Sequence, residues 1–146
     1  MGRSPRTHFP GAIFHVLGRG NGGEPIFLSD EDRLLFLGIL NDVKAKTGAL
    51  VLAYCPMGNH YHLVIQVGEV PISSIMRRLL SRYAKRFNIS ARRFGHVFQA
   101  RYKAKLVKDQ AYLTTLLRYV HNTPVVEGWV KNPADWVWSS HRQFTG

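Results

Sequence analysis

Two histidines one residue apart, in the run Met57-Gly58-Asn59-His60-Tyr61-His62-Leu63-Val64-Ile65, and a tyrosine far downstream, Tyr119, are the residues of this chain best suited to chemistry. Side chains alternate across a strand, so both imidazoles project from one face while Tyr61, Leu63, Ile65 and Val67 line the other. A pair of imidazoles on one face is half of a metal site. A metal that grips phosphate oxygens beside an activated side chain is equipment for cutting phosphodiester bonds. On residue type alone, a His-x-His pair is more often a hydrogen-bonded polar face, and a tyrosine at the edge of a helix stripe is more often packing than nucleophile.

Charge shifts that balance. Lys and Arg number 20 against 9 Asp and Glu, a formal charge of +11 with a pI near 10.3, well beyond what solubility requires. The partner implied is a polyanion, and nucleic acid fits better than a membrane surface because the cations sit among aromatics. No apolar run reaches the ~20 residues of a membrane span, and residues 1–10 lack the apolar stretch of a signal peptide. A soluble, cytoplasmic protein is therefore expected. The single cysteine, Cys55, excludes an internal disulfide and a multi-cysteine zinc cluster, and its neighbours Leu52, Ala53 and Tyr54 make it a buried thiol.

The elements that must position these groups fit one domain over 1–146. An apolar strand over 12–17 leads into Gly18-Arg19-Gly20-Asn21-Gly22-Gly23. That loop satisfies G-x-G-x-x-G, but Glu24-Pro25-Ile26-Phe27-Leu28 intervenes before any helix, which excludes the dinucleotide fingerprint. Arg19 is left as a candidate phosphate contact. A helix begins at the N-cap Ser29 with Asp30, Glu31 and Asp32 in its first turn and stops at Gly48, its core stripe being Phe36, Ile39, Leu40 and Val43. Strands over 50–55 and 60–67 flank the tight Pro56-Met57-Gly58-Asn59 connection.

A second helix runs from Pro71 to about Asn88 with Ile72, Ile75, Met76, Leu79, Leu80, Tyr83 and Phe87 at helical spacing. Arg77, Arg78, Arg82, Lys85 and Arg86 occupy its other side with no acid among them, so they cannot pair along the helix and are candidate DNA contacts. From Arg92 to Lys103 cations alternate with aromatics, adding Arg101 and Lys103 to that set; the aromatics suit either base stacking or the core. A strand ends near Val107. The last helix starts after Asp109 and runs to about Asn122 on the stripe Leu113, Leu116, Leu117, Val120. Tyr119 lies roughly 110° round from the middle of that stripe, and Tyr112 on the same flank is its rival. Trp129, Trp136 and Trp138 read as a packed tail without chemistry.

The first six elements, strand, helix, strand, strand, helix, strand, give the α+β ferredoxin-like βαββαβ pattern with a four-stranded antiparallel sheet backed by two helices. The third helix is an addition that carries Tyr119.

Gly18-Arg19-Gly20-Asn21, Pro25-Ile26-Phe27, Asn59-His60-Tyr61-His62-Leu63-Val64, Val97-Phe98-Gln99-Ala100-Arg101-Tyr102-Lys103, Tyr112-Leu113, Arg118-Tyr119-Val120-His121 and Trp138-Ser139-Ser140 together resemble the single-tyrosine transposases of the HUH superfamily. They are most similar to the REP-associated tyrosine transposases, in register from about Ile13 to Ser140. The resemblance implies a DNA strand transferase acting on single-stranded DNA near hairpins, as monomer or homodimer. His60 and His62 would hold a divalent ion, Mg2+ or Mn2+, and Tyr119 would form a covalent 5′-phosphotyrosine. Two positions depart from the family pattern. Gly58 stands where a proline is usual, and Thr123 replaces the polar amide four residues after the tyrosine, a third metal ligand in related transposases. Asn122 and Thr123 both fall within about 60° of Tyr119 on the helix, and Asn122 offers the better carbonyl oxygen. With that ligand altered, the alternative is a catalytically impaired regulator of the same fold that binds DNA hairpins.

Overall fold

The computed structural model describes residues 7–99 and 101–143. Residues 1–6 of the N-terminal segment, Ala100 of the 97–103 motif and residues 144–146 lie outside them. The elements are β1 (Ile13–Arg19), α1 (Asp30–Thr47), β2 (Leu50–Pro56), β3 (His60–Gln66), α2 (Ile72–Ala91), β4 (Lys103–Val107) and α3 (Gln110–Val126), with short 3₁₀ turns at 21–23, 133–135 and 140–143. The sheet has the order β2-β3-β1-β4, and every pairing is antiparallel. This is the expected βαββαβ arrangement.

The two faces of the sheet bury different things. Phe14 and Val16 of β1 and Tyr61, Leu63 and Ile65 of β3 pack against Phe36, Ile39, Leu40 and Val43 of α1 and Ile72, Ile75, Met76, Leu79, Tyr83 and Phe87 of α2. On the opposite face Leu113, Leu116 and Val120 of α3 cover Ala53, Cys55, Met57 and Val64. Strand β3 is thus buried on both sides, and its even-numbered residues share a face with α3. Cys55 is the buried thiol expected, and burial pushes its pKa up to about 12.

Local signals explain the ends of α1. Ser29 Oγ accepts from the Asp32 amide, Asp32 Oδ2 accepts from the Leu28 amide at 2.7 Å, and Gly48 closes the helix at φ 73°, a conformation glycine adopts without cost. The other two helices outrun their sequence boundaries. Helix α2 continues past Asn88 to Ala91, where Arg92 takes the left-handed conformation at φ 54°. Helix α3 passes straight through Pro124 to Val126. A proline removes one N–H and one helical bond, but here the next carbonyls are caught by the chain beyond: Glu127 N bonds Thr123 O, and Trp129 N bonds Pro124 O at 2.9 Å.

The tryptophan tail then braces the turn before β3. Trp129 and Trp136 pack edge to face with ring centroids 5.1 Å apart, and both lie against the guanidinium of Arg33. A Cβ on Gly58 would stand 2.8 Å from the Trp129 ring, so the glycine at this position is what lets the indole lie on the turn.

His121 of α3 is buried and bonded to Ser140 Oγ at 2.7 Å, and the same hydroxyl accepts from the Tyr54 amide. The third helix, the C-terminal segment and edge strand β2 are tied together there. Burial, with a smaller contribution from His141, lowers the His121 pKa to about 4. Above about pH 6.5 the ring is neutral in both folded and unfolded chains. Between about 6.5 and 4 the unfolded chain takes up the proton and the folded one resists, so stability falls as pH falls, by of order 2 kcal/mol. Urea melts at pH 7.5 and 4.5 should show the loss, and His121→Asn should reduce the difference between them.

A candidate active site between β3 and the third helix

Three segments converge on the turn that launches β3. Arg33 donates to Met57 O through Nε at 3.1 Å and Nη2 at 2.8 Å. The amides of Ile26 and Phe27 both donate to Gly58 O, and Gly20 N donates to Asn59 O. Gly18 is fixed sterically: it faces the α1/α2 side, and a Cβ there would run into the Tyr61 ring. Its neighbour Arg19 therefore points to the other face, directly opposite His60 in the β1–β3 register, with Leu17 opposite His62.

The result is a cleft of about 320 Å3 lined by Leu17, Arg19, Asn59, His60, His62, Tyr119, Thr123, Val126 and Glu127. The ring of Tyr119 stands edge-on to His62 with centroids 5.5 Å apart, and Tyr119 is 56 % exposed. The rival, Tyr112, sits further along α3 beneath Lys105 and does not line the cleft.

Each histidine is held through Nδ1. His62 Nδ1 is 3.0 Å from His15 Nε2, the two rings stacked at 10°, and His60 Nδ1 is 2.8 Å from Asn59 Oδ1. Nε2 of His62 points away from the bond to His15, whereas Nε2 of His60 meets Glu127; a ring anchored at one nitrogen is the arrangement common around ligating imidazoles. Burial, reinforced by His15, His60 and Arg19, pushes the His62 pKa down to about 3. His60 is lowered as well, by burial first and Arg19 in addition, with Glu127 opposing. Burial thus holds His62 in the neutral form that binds metals, and pulls His60 in the same direction against Glu127.

Of the two residues considered for a third ligand, the helix brings Thr123 to the cleft and turns Asn122 away, into a groove on the outer side of α3 with Arg118 and His141. Asn122, the better carbonyl donor of the two, does not line the cleft. The Thr123 hydroxyl donates to Tyr119 O at 3.0 Å. Two residues of the site go unseen in the sequence reading. His15 reaches the face through strand alternation once β1 is paired with β3. Glu127, whose Oε2 lies 3.0 Å from His60 Nε2, follows from α3 continuing past Pro124.

The candidate DNA contacts divide into two groups. Arg19 and Lys103, opposite Leu17, lie on the cleft's face of the sheet, and Arg19 also borders a second hollow with Arg101. Arg77, Arg78, Arg82, Lys85 and Arg86 are exposed on α2, which covers the other face. Arg82 has a partner after all, Asp42 of α1 at 3.3 Å, a pairing between helices that spacing along one helix does not reveal. Of the interleaved aromatics, Phe98 and Tyr102 pack on the core, whereas Phe94 is 98 % exposed and free to stack.

A family model described as "Transposase IS200 like" matches residues 14–123. The chain belongs to the IS200-like transposase family. A Haemophilus influenzae protein provisionally named a REP-associated tyrosine transposase is 28% identical over 103 residues, which are 62% of this chain and 58% of that protein, so the match spans under two thirds of the relative's length. Among solved structures, a REP-associated tyrosine transposase bound to a REP hairpin superposes with a TM-score of 0.78 at 20% identity, covering 99% of this transposase and 86% of the other chain. A provisionally named transposase from Deinococcus radiodurans follows with a TM-score of 0.57 at 16% identity over 83% and 97%. The fold of this IS200-like transposase is thus shared with a REP-associated tyrosine transposase whose solved structure holds a REP hairpin. No helix among its described residues is long and apolar enough to cross a membrane.

Proposed function

We propose that the chain is a metal-dependent single-stranded DNA endonuclease and strand transferase that cuts near hairpins through a 5′-phosphotyrosine. The observation that carries this reading is Tyr119 edge-on to His62 across one open cleft. The hairpin-bound state of the similar solved structure supports the choice of DNA. His60 and His62 are the residues that would hold a divalent ion such as Mg2+ or Mn2+, through imidazole nitrogens that suit such a role; as they stand, no group of three or more His, Cys, Asp or Glu side chains among the described residues is arranged to hold a metal, and His60 Nε2 is paired with Glu127. Bound there, the ion would polarise the scissile phosphate and neutralise charge growing on its oxygens.

The remaining work falls to side chains. Tyr119, on the helix that Leu116 and Val120 anchor to the sheet, attacks phosphorus in line. The new bond joins its Oη to phosphorus as the bond to the 3′-oxygen breaks. The phenolic proton is lost and the departing strand ends in a 3′-hydroxyl. A phosphodiester persists throughout, so a second 3′-hydroxyl can reverse the step and join a different strand. Arg19 and Lys103 place positive charge beside the entering backbone.

The test is one denaturing gel. Oligonucleotides with hairpins drawn from DNA flanking the gene are incubated with protein and Mg2+ or Mn2+, then denatured in detergent. Label on the 5′-phosphate side should migrate with the protein. Free cleaved product would instead indicate a hydrolase, and binding without cleavage a regulator.

The basic helix gives a separate expectation. Replacing Arg78, Arg82 and Lys85 together with Ala should weaken DNA binding and flatten its dependence on salt, by up to about 0.7 in slope for each phosphate that is no longer neutralised. The melting temperature should barely move, since the one ion pair removed, Arg82–Asp42, is exposed and contributes about 0–1 kcal/mol. Filter binding over a salt series measures it.

A further inference from the structure

We infer that the hollow on the α2 side of the sheet, where the Tyr61 hydroxyl is buried, receives one unpaired nucleobase of the bound DNA. The inference rests on the DNA reading above and adds to it a base-recognition site distinct from the histidine cleft.

Among the described residues, Tyr61 Oη is the buried side-chain polar atom that has no hydrogen-bond partner. The ring belongs where it is, packed against Phe36 and Phe98. A phenylalanine would fill that place without leaving a hydroxyl unpaired. Buried hydroxyls are paired as a rule, and one that is not calls for an explanation. The backbone has been cleared for this one, because a Cβ on Gly18, directly opposite in the β1–β3 register, would collide with it. Gly18 and Tyr61 both line a hollow of about 360 Å3, with Leu80 and Ala84 of α2 and Phe98 among its walls. Small-ligand pockets span ~300–1,000 Å3 and combine apolar walls with a few placed polar groups.

Chemistry selects the occupant. A phenol hydroxyl is uncharged and both donates and accepts, which suits the carbonyl, ring-nitrogen or amino edge of a base. The cations of the hollow, Arg19 and Arg101, are exposed, placed for phosphate outside while the flat base enters. A stacked and paired base presents no free edge, so only an unpaired nucleotide fits. Gly18–Tyr61 and Arg19–His60 are successive pairs of the register. Alternation turns the first towards the hollow and the second towards the cleft, and Arg19 borders both. A strand passing Arg19 can leave one base in the hollow and carry a nearby phosphate to the cleft, which sets where the cut falls.

Filter binding of the full chain to a hairpin oligonucleotide from DNA flanking the gene, without metal so that no cleavage intervenes, tests the site. Each unpaired position is replaced in turn by an abasic residue. Tyr61→Phe should weaken binding of the intact hairpin by about 3- to 10-fold. With the base removed at one particular position, wild type and Tyr61→Phe should bind alike, the two losses failing to add. Ala84→Leu, which fills the hollow from α2, should reproduce the loss, and Tyr61→Phe decides the matter where Ala84→Leu does not fold. Tyr61→Phe should melt no lower than wild type, since it removes a hydroxyl that has no partner in the free protein. A lower melting temperature would place that partner inside the protein and overturn the inference. Wild-type affinity in Tyr61→Phe, or a loss that persists with every abasic position, would overturn it too while leaving the DNA reading intact. No hairpin binding by wild type would overturn both.

Discussion

Tyr119→Phe is expected to abolish the covalent protein–DNA adduct, by about 10³-fold or more, while leaving folding and DNA binding close to wild type. Removing a nucleophile eliminates the intermediate itself, and no neighbouring group can replace it without a different geometry. The substitution deletes one oxygen from a half-exposed ring that keeps its edge contacts with His62 and His15, so stability should change by no more than about 0.5 kcal/mol. The detergent gel reads the adduct, and a thermal melt reads the fold. Tyr112→Phe serves as the counterpart: it should keep the adduct, because Tyr112 lies against Lys105 outside the cleft. An adduct that survives Tyr119→Phe and vanishes with Tyr112→Phe would reassign the nucleophile.

The second large effect is expected from the histidines. His60→Ala and His62→Ala should each reduce cleavage by about 10²-fold or more at any Mg2+ or Mn2+ concentration, with most DNA affinity retained. Binding should survive because the cations proposed to meet phosphate are Arg19, Lys103 and the exposed row on α2, none of which depends on an imidazole for its position. His62 is buried and stacked on His15, so His62→Ala must be accompanied by a melt. His60→Ala, at the strand's end, is the milder structural change. Full cleavage by the double variant would remove the metal site from the mechanism.

How much of this was legible in the chain differs from element to element. Helix α1 could be read to the residue because its ends are decided locally, by the Ser29 and Asp32 bonds and by Gly48. The facing of His60 and His62 followed from strand alternation alone, and the βαββαβ order from the succession of patterns. The end of α3 could not be read. A proline inside a helical pattern ordinarily marks a stop, and here bonds from the chain beyond, Glu127 N to Thr123 O and Trp129 N and Val130 N to Pro124 O, accompany the helix on to Glu127. His15 and the Arg82–Asp42 pair are non-local as well. Each becomes visible once β1 is set against β3, or α1 against α2, and neither register is encoded in a short window. Asn122 and Thr123 flank Tyr119 at similar angles, so periodicity cannot choose between them. The packing of α3 on Ala53, Cys55 and Val64 does.

The placement of the α2 cations and the histidine cleft on opposite sides of one sheet has a mechanical consequence. A single DNA molecule that engages both must turn around the end of the sheet, past Gly18, Arg19 and Arg101. Double-stranded DNA has a persistence length of about 50 nm, and smooth bending of even a 20–30 base-pair stretch costs of order 1–6 kcal/mol. A turn within the width of this small protein is far tighter still. An unpaired strand makes the same turn freely. Stiffness itself would then sort substrates: a stem can rest along one surface only if the segment leading from it to the cleft is unpaired, so the junction between paired and unpaired DNA, rather than any base sequence, would mark where the cut can fall.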